Sequence, residues 1–138
     1  MKIQFVQQPT DETCTSSCLA MLIENKTVMD VIEEFHEDYF AGKITPASYL
    51  RKIGFKVREF SGLERTMIFG CVYLLCVPSL NKEATFHSIL LDVQDSATVY
   101  DPCTGVKGKK YYTYDEYKDP LSAKLKGFII DCEITRGA

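Results

Sequence analysis

The spacing of apolar residues changes from helical to alternating just after Gly54, and this change most constrains the fold. Up to that point apolar side chains recur every three or four residues, as they do in amphipathic helices. Beyond it, short apolar runs separated by turn residues predict strands. Helices that precede a run of strands predict an α+β domain, in which a helical N-terminal half packs on a C-terminal, mainly antiparallel sheet.

The element boundaries follow from caps and breakers. Thr27 precedes the second helix with Asp30 three residues later, close to a capping box. Pro46 lies in the first turn of the third helix, a position that proline favours. The predicted helices are residues 14–23, 27–42 and 45–54; the predicted strands are 55–60, 70–77, 86–93, 98–101 and 127–134, and a short helical turn is predicted at 114–117.

A hairpin is predicted where residues 94–96 join two of these strands. With a three-residue loop Val93 faces Ala97, and the residue numbers of each facing pair add up to the same even number. Two facing residues are therefore both odd-numbered or both even-numbered. His87 and Asp101 are both odd-numbered, so this register places their side chains on one face of the sheet, about one diagonal step apart.

Composition and charge exclude several classes of protein. A chain of 138 residues predicts a single domain, residues 1–138. A net charge of -3 with no basic face gives no reason to expect nucleic-acid binding. The longest apolar run, residues 71–77, is far shorter than a membrane-spanning helix requires. The first residues lack the apolar core of a signal peptide, so we expect a cytoplasmic protein.

The six cysteines predict reduced thiols, because no secretion signal is found. Their spacing contains no CxxC pair and the chain has only two histidines, so we expect neither a metal nor another cofactor. Cys103 follows a strand on a loop and could be exposed. Four others are expected to be buried as small hydrophobic residues: Cys18, Cys71, Cys76 and Cys132.

Four residues together predict a cysteine-nucleophile acyl-transfer site: Gln8, Cys14, His87 and Asp101. At a helix N-terminus the thiolate of Cys14 is favoured by free N–H groups and the helix dipole. His87 would carry the proton, and Asp101 would orient its imidazole. The Cys14 N–H and the Gln8 amide would stabilise the oxyanion.

Other residues compete for these roles. Asn81 could orient His87 in place of Asp101. Asp92 and Asp95 are alternative acids, but both lie near the predicted hairpin turn and away from His87. The other histidine, His36, lies among acidic residues and is expected to be a solvated surface residue.

The order of these residues resembles that of the papain-like cysteine peptidases. It is most similar to the double-glycine leader peptidases, which form the N-terminal domain of bacteriocin-exporting ABC transporters. In that family the nucleophile segment reads roughly Gln-x5-Cys-Gly-x-Ala-Cys-Leu-Ala-Met, and here it reads Gln8-Pro-Thr-Asp-Glu-Thr-Cys14-Thr-Ser-Ser-Cys18-Leu-Ala-Met21. Three later segments fall in the expected order: Gly54-Phe-Lys-Val57, Phe86-His-Ser-Ile-Leu-Leu91 and Val99-Tyr-Asp-Pro102.

The chain also departs from the family pattern. Thr13 and Thr15 flank Cys14 where the family prefers an acidic residue and a glycine, and no proline precedes the strand at Gly70. The resemblance implies a papain-like fold and the roles given above for Cys14 and its three partners. It does not imply cleavage after a Gly-Gly pair, since no motif here specifies that substrate.

The resemblance and the four residues together predict a stand-alone cysteine peptidase. Its substrate would be a protein or peptide, cleaved at a peptide or isopeptide bond through an acyl-enzyme on Cys14. A partner transporter or target protein would be a separate chain. Two alternatives remain open: an acyltransferase, transglutaminase-like or deamidating effector with the same triad, and a non-catalytic module that binds a peptide.

Overall fold

The computed structural model describes residues 1–60 and 66–138, and its helices lie in the first part of the chain. Helix α1 spans Cys14–Leu22. A second helical segment consists of α2 (Val28–Val31), a π-helical turn (Ile32–His36) and α3 (Glu37–Phe40). Helix α4 spans Pro46–Lys52. All three predicted helices are therefore confirmed, and the second one contains a π-helical turn that its apolar spacing did not indicate.

Side-chain caps begin two of these helical segments. The Thr27 hydroxyl accepts from Asp30 N, and Thr45 forms the same reciprocal capping box with Ser48. Each box satisfies N–H groups that would otherwise have no acceptor at a helix start.

The strands of the described residues are β1 (Lys56–Glu59), β2 (Val72–Pro78), β3 (Phe86–Asp92), β4 (Thr98–Tyr100), β5 (Tyr111–Thr113), β6 (Ser122–Lys124) and β7 (Ile129–Arg136). Five of them form one antiparallel sheet in the order β1-β7-β2-β3-β4. The other two, β5 and β6, form a separate parallel pair. The α+β class and the mainly antiparallel sheet are thus as predicted from the sequence.

The two faces of the large sheet bury separate apolar clusters. On one face the helices cover Leu74 and Leu90 with residues such as Leu19, which are all fully buried. On the other face Tyr73 and Ile89 lie in a second cluster that Tyr112 and Phe128 help to close. Burying both faces explains why β2 is a nearly continuous apolar run rather than an alternating one.

The predicted helical turn at 114–117 is wrong. The chain there is a bend between β5 and β6, and the Thr113 hydroxyl donates to Glu116 O at 2.6 Å. Strands β5 and β6 were not predicted, because their pairing joins segments about ten residues apart and the residues are not apolar in alternation. The last strand also begins two residues later than predicted, at Ile129.

The predicted hairpin register is confirmed. Leu90 pairs with Tyr100 and Leu91 with Val99, so the residue numbers of each facing pair add up to the value that the three-residue loop requires. Among the described residues, no helix has the length and apolar character needed to cross a bilayer.

Candidate active site

The fold gathers three of the four candidate residues around one cleft of about 520 Å³, and the fourth lies behind it. Cys14 is the first residue of α1, and His87 is the second residue of β3. Gln8, Cys14 and His87 line the cleft, and the buried Asp101 lies behind His87 just after β4. Two exposed aromatic side chains, Phe40 and Phe86, contribute to its walls.

The loop before Cys14 is held by Thr13. The Thr13 hydroxyl accepts from Thr10 N at 3.1 Å and donates to Thr10 O at 3.1 Å, so it does not cap α1. Thr13 O instead accepts from the Ser17 N–H and hydroxyl at 3.0 and 2.7 Å. The first-turn N–H groups, that of Cys14 included, have no acceptor within the helix and can face a ligand.

His87 and Asp101 form a short, buried pair. Nε2 of His87 lies 2.6 Å from Oδ1 of Asp101, whose side chain is 1% exposed. Two backbone groups also donate to this carboxylate: Cys103 N to Oδ1 at 2.8 Å and Tyr112 N to Oδ2 at 2.7 Å. Asp101 therefore holds the imidazole by Nε2, which leaves Nδ1 as the ring nitrogen available to the Cys14 side.

The electrostatics favour a thiolate facing an imidazolium. Burial opposes ionisation of Cys14, but the hydrogen bond and positive charge of His87 outweigh it, aided by Ser88 N–H and the Thr15 hydroxyl, so the pKa of Cys14 is lowered. Burial likewise disfavours the charged imidazole, yet interactions with Asp101, Cys103 and Cys14 raise the pKa of His87 well above its ordinary value. Opposite shifts on adjacent groups are typical of a functional pair.

Gln8 lies at the same cleft with one donor committed elsewhere. Its side chain is 8% exposed, and Nε2 donates to Thr10 O at 2.9 Å. An amide NH2 has two hydrogens, so one donor remains for a substrate oxygen. Oε1 is buried and has no hydrogen-bond partner among the described residues.

Backbone contacts tie the Gln8 segment to the loop that carries Asp101. Gln8 N donates to Pro102 O at 2.9 Å, and the Gln7 side chain donates to Thr104 O at 3.2 Å. Gly105 has a φ of +83°, and a Cβ there would lie 2.9 Å from Gln7 Nε2. A side chain at this position would be strained by its φ, and the end of the Gln7 side chain would have to move aside.

The competing residues have other partners. Asn81 lines the same cleft, but its side chain exchanges hydrogen bonds with the backbone of Lys110 at 2.8 and 2.9 Å and donates to Cys103 Sγ at 4.0 Å, whereas the carboxylate on His87 is that of Asp101. Asp92 accepts from Gln94 N at the hairpin. His36 is half-buried against the Phe40 ring, at 4.6 Å between centroids, rather than fully solvated as expected.

Cys103 is buried, contrary to the expectation that its loop could expose it. It is 5% exposed, and its thiol interacts with His87. Among the four cysteines assigned to the core, Cys18, Cys71 and Cys132 are buried and Cys76 is half-buried. Desolvation raises the pKa of all four thiols, which disfavours their reactive form.

A metal could use part of this cluster. Three residues each offer one ligand atom, and these atoms lie within 4.8 Å of one another: His87, Asp101 and Cys103. Imidazole, carboxylate and thiolate are ligands that Zn²⁺ accepts. Both Asp101 oxygens, however, already accept short hydrogen bonds, so a metal that bound to this carboxylate would have to compete with those bonds. The geometry fits an orienting carboxylate better than a metal ligand.

Sequence reasoning missed the backbone groups that hold Asp101. The Cys103 N–H is an Asx-turn donor, and Thr104 N donates to Asp101 O at 2.9 Å across Pro102. An Asp-Pro pair is a recognised signal for such a turn, so this contact was predictable. The Tyr112 N–H was not, because it comes from an unpredicted strand.

A second hollow of about 480 Å³ lies at the hairpin end of β3. Its lining is mainly apolar and includes Leu91, Val93 and Phe128. It contains none of the four candidate residues, so the candidate site remains the cleft at Cys14.

Comparison with known proteins finds no family model, curated protein or solved structure that matches this chain. The resemblance to the leader peptidases therefore remains a prediction.

Proposed function

We propose that this protein is a cysteine peptidase with a papain-like arrangement, in which Cys14 forms an acyl-enzyme with a peptide or isopeptide substrate. The observation that carries the proposal is the continuous chain from Cys14 through His87 to Asp101, with opposite pKa shifts on the thiol and the imidazole. Peptide hydrolysis needs a nucleophile, a proton carrier and an orienting group, and these three residues supply them.

Acylation begins with attack of the Cys14 thiolate on the substrate carbonyl carbon. The new C–S bond moves an electron pair onto the carbonyl oxygen, and the Cys14 N–H and the free hydrogen of Gln8 Nε2 would stabilise that oxyanion. The proton on Nδ1 of His87 passes to the substrate nitrogen as the intermediate collapses, so the C–N bond breaks and the nitrogen leaves as a neutral amine.

Deacylation reverses the role of His87. The neutral imidazole takes a proton from a water molecule, whose oxygen attacks the thioester carbon. The C–S bond breaks, the acyl group leaves as a carboxylic acid, and the Cys14 thiolate returns facing imidazolium. Asp101 keeps the ring oriented through both halves, because three hydrogen bonds hold its carboxylate in place.

An active enzyme accounts for these observations better than a non-catalytic peptide-binding module. Burial raises the pKa of the half-buried Cys14 thiol, so a lowered pKa requires a positive charge positioned beside it, here that of His87. A module that only binds a peptide does not need a thiolate. An amine that attacked the acyl-enzyme in place of water would make the same site a transferase.

Mass spectrometry of candidate peptides tests the proposal. The expected result is cleavage by the wild-type chain, a transient acyl adduct on Cys14, and neither with Cys14→Ala. His36→Ala is the matched histidine control, because it lies outside the cleft. Deamidated or cross-linked products instead of cleavage would make the protein a transferase or deamidase, while no adduct on Cys14 with any substrate would refute an acyl-enzyme.

The cytoplasmic location expected from the sequence stays a prediction.

A further inference from the structure

Thr15 and Ser88 form a buried hydrogen bond directly behind the proposed catalytic pair. The two hydroxyl oxygens are 2.8 Å apart, and the residues are 7% and 6% exposed. Thr15 follows Cys14 on α1 and Ser88 follows His87 on β3. The bond therefore joins the helix of the nucleophile to the strand of the base, one residue away from each.

Both members of this bond also contact the nucleophile. The Thr15 hydroxyl lies 4.0 Å from Cys14 Sγ, and the Ser88 N–H donates to the Cys14 sulfur. Tyr39 interacts with Thr15 from the second helical segment.

We propose that the Thr15–Ser88 bond is a positioning device that sets the separation of Cys14 from His87. Hydrogen bonds weaken steeply with distance and angle, so a small shift of α1 relative to β3 would weaken the contact between thiol and imidazole. Burial of Cys14 would then act unopposed and favour the neutral thiol. Both residues are positioning residues, since they act through their neighbours.

A matched control lies on the next residue of the helix. Ser16 is 1% exposed, and its hydroxyl has no hydrogen-bond partner among the described residues. Ser16→Ala thus removes a buried hydroxyl from α1 without breaking a bond to β3. Thr15→Ser is the conservative rescue, because it keeps the hydroxyl and removes only a methyl group.

The experiment measures the rate of Cys14 alkylation by iodoacetamide as a function of pH, with peptide mapping to identify the labelled thiol. Thr15→Val and Ser88→Ala should each move the midpoint to higher pH and slow labelling at neutral pH roughly tenfold, the effect of losing about one hydrogen bond. The double variant should lose no more than Thr15→Val alone, since Thr15→Val already breaks the bond that Ser88→Ala would remove. Ser16→Ala and Thr15→Ser should keep the wild-type midpoint.

An unchanged midpoint in a folded Ser88→Ala variant would overturn the proposal, as would an equal shift in Ser16→Ala. If Thr15→Val does not fold, Ser88→Ala decides the question, because it removes the same bond with a smaller change. The effect of this bond on substrate turnover rests on the proposed function, whereas the alkylation rate measures the reactivity of the Cys14 thiol directly. A chain that shows the shift and cleaves no peptide would refute the peptidase alone, and a chain that cleaves without the shift would refute only the positioning role.

Discussion

At the scale of single residues, the reactivity of Cys14 depends on a balance between burial and the charge of His87. Burial is the largest influence and acts against the thiolate, whereas the imidazole and its hydrogen bond act in favour. A pKa lowered by a neighbour should rise when that neighbour is removed, past its ordinary value if burial remains.

His87→Ala should therefore raise the pKa of Cys14 and slow its alkylation at neutral pH. In the wild-type chain Cys14 should be labelled before the other five thiols, because desolvation raises the pKa of four of them and Cys103 is buried. Peptide mapping after brief labelling measures both effects. If Cys71 or Cys103 reacts first in the wild-type chain, Cys14 is not the nucleophile.

Gln8 and Gln7 offer a comparison between neighbouring amides. Gln8→Ala removes a buried donor at the cleft, and losses of one oxyanion donor are roughly 10²–10³ in kcat. Gln7→Ala removes an exposed bond to Thr104 O and should leave kcat near the wild-type value. Steady-state kinetics on a cleaved peptide measures both variants. Equal rates would show that Gln8 donates nothing to the transition state.

Asp101→Asn tests the carboxylate. An amide that keeps its oxygen toward His87 turns its NH2 group toward the Tyr112 N–H, so two buried donors face each other. Leaving a buried group unsatisfied costs about 1–3 kcal/mol, and the melting temperature should fall together with activity. Asp92→Asn is the control, since that carboxyl is half-buried and accepts only near the hairpin turn. A wild-type melting temperature for Asp101→Asn would contradict the bonding described here.

At the scale of elements, the site depends on how the N-terminal segment is tied to the loop after β4. Two glycines in that loop allow the effect of backbone strain to be measured apart from the effect of this contact. Gly105 has a φ of +83° and Gly108 a φ of +75°, so an added Cβ is strained at both. Of the two, only Gly105 has a neighbour, Gln7 Nε2, within 4 Å of the added Cβ.

Gly108→Ala should lower stability by about 1–2 kcal/mol, the cost of a left-handed backbone for a residue with a Cβ. Gly105→Ala should carry the same strain and also displace the Gln7 side chain from Thr104 O, so its melting temperature should fall further than that of Gly108→Ala. The kcat of both variants should stay near the wild-type value, as expected for Gln7→Ala. Thermal unfolding and steady-state kinetics on both variants measure these effects, and equal melting temperatures would mean that the Gln7 contact adds no stability.

At the scale of the whole molecule, stability comes from two apolar clusters on the faces of the sheet. All six cysteines are free thiols, and the Asp101 oxygens are used within the protein. The melting temperature should therefore be the same in EDTA and in strong reductant as in plain buffer. A marked drop under chelation would mean that His87, Asp101 and Cys103 hold a metal that contributes to folding.

The sequence by itself determined the class of the fold, the three helical segments and the hairpin register that aligns His87 with Asp101. These are local properties: apolar period, capping residues and loop length each act over a few neighbouring residues. The burial of Cys103 and the pairing of β5 with β6 were decided by the tertiary structure alone. So was the bond between Thr15 and Ser88, whose partners are 73 residues apart. Contacts of this kind depend on how distant elements pack, and no local pattern carries that information.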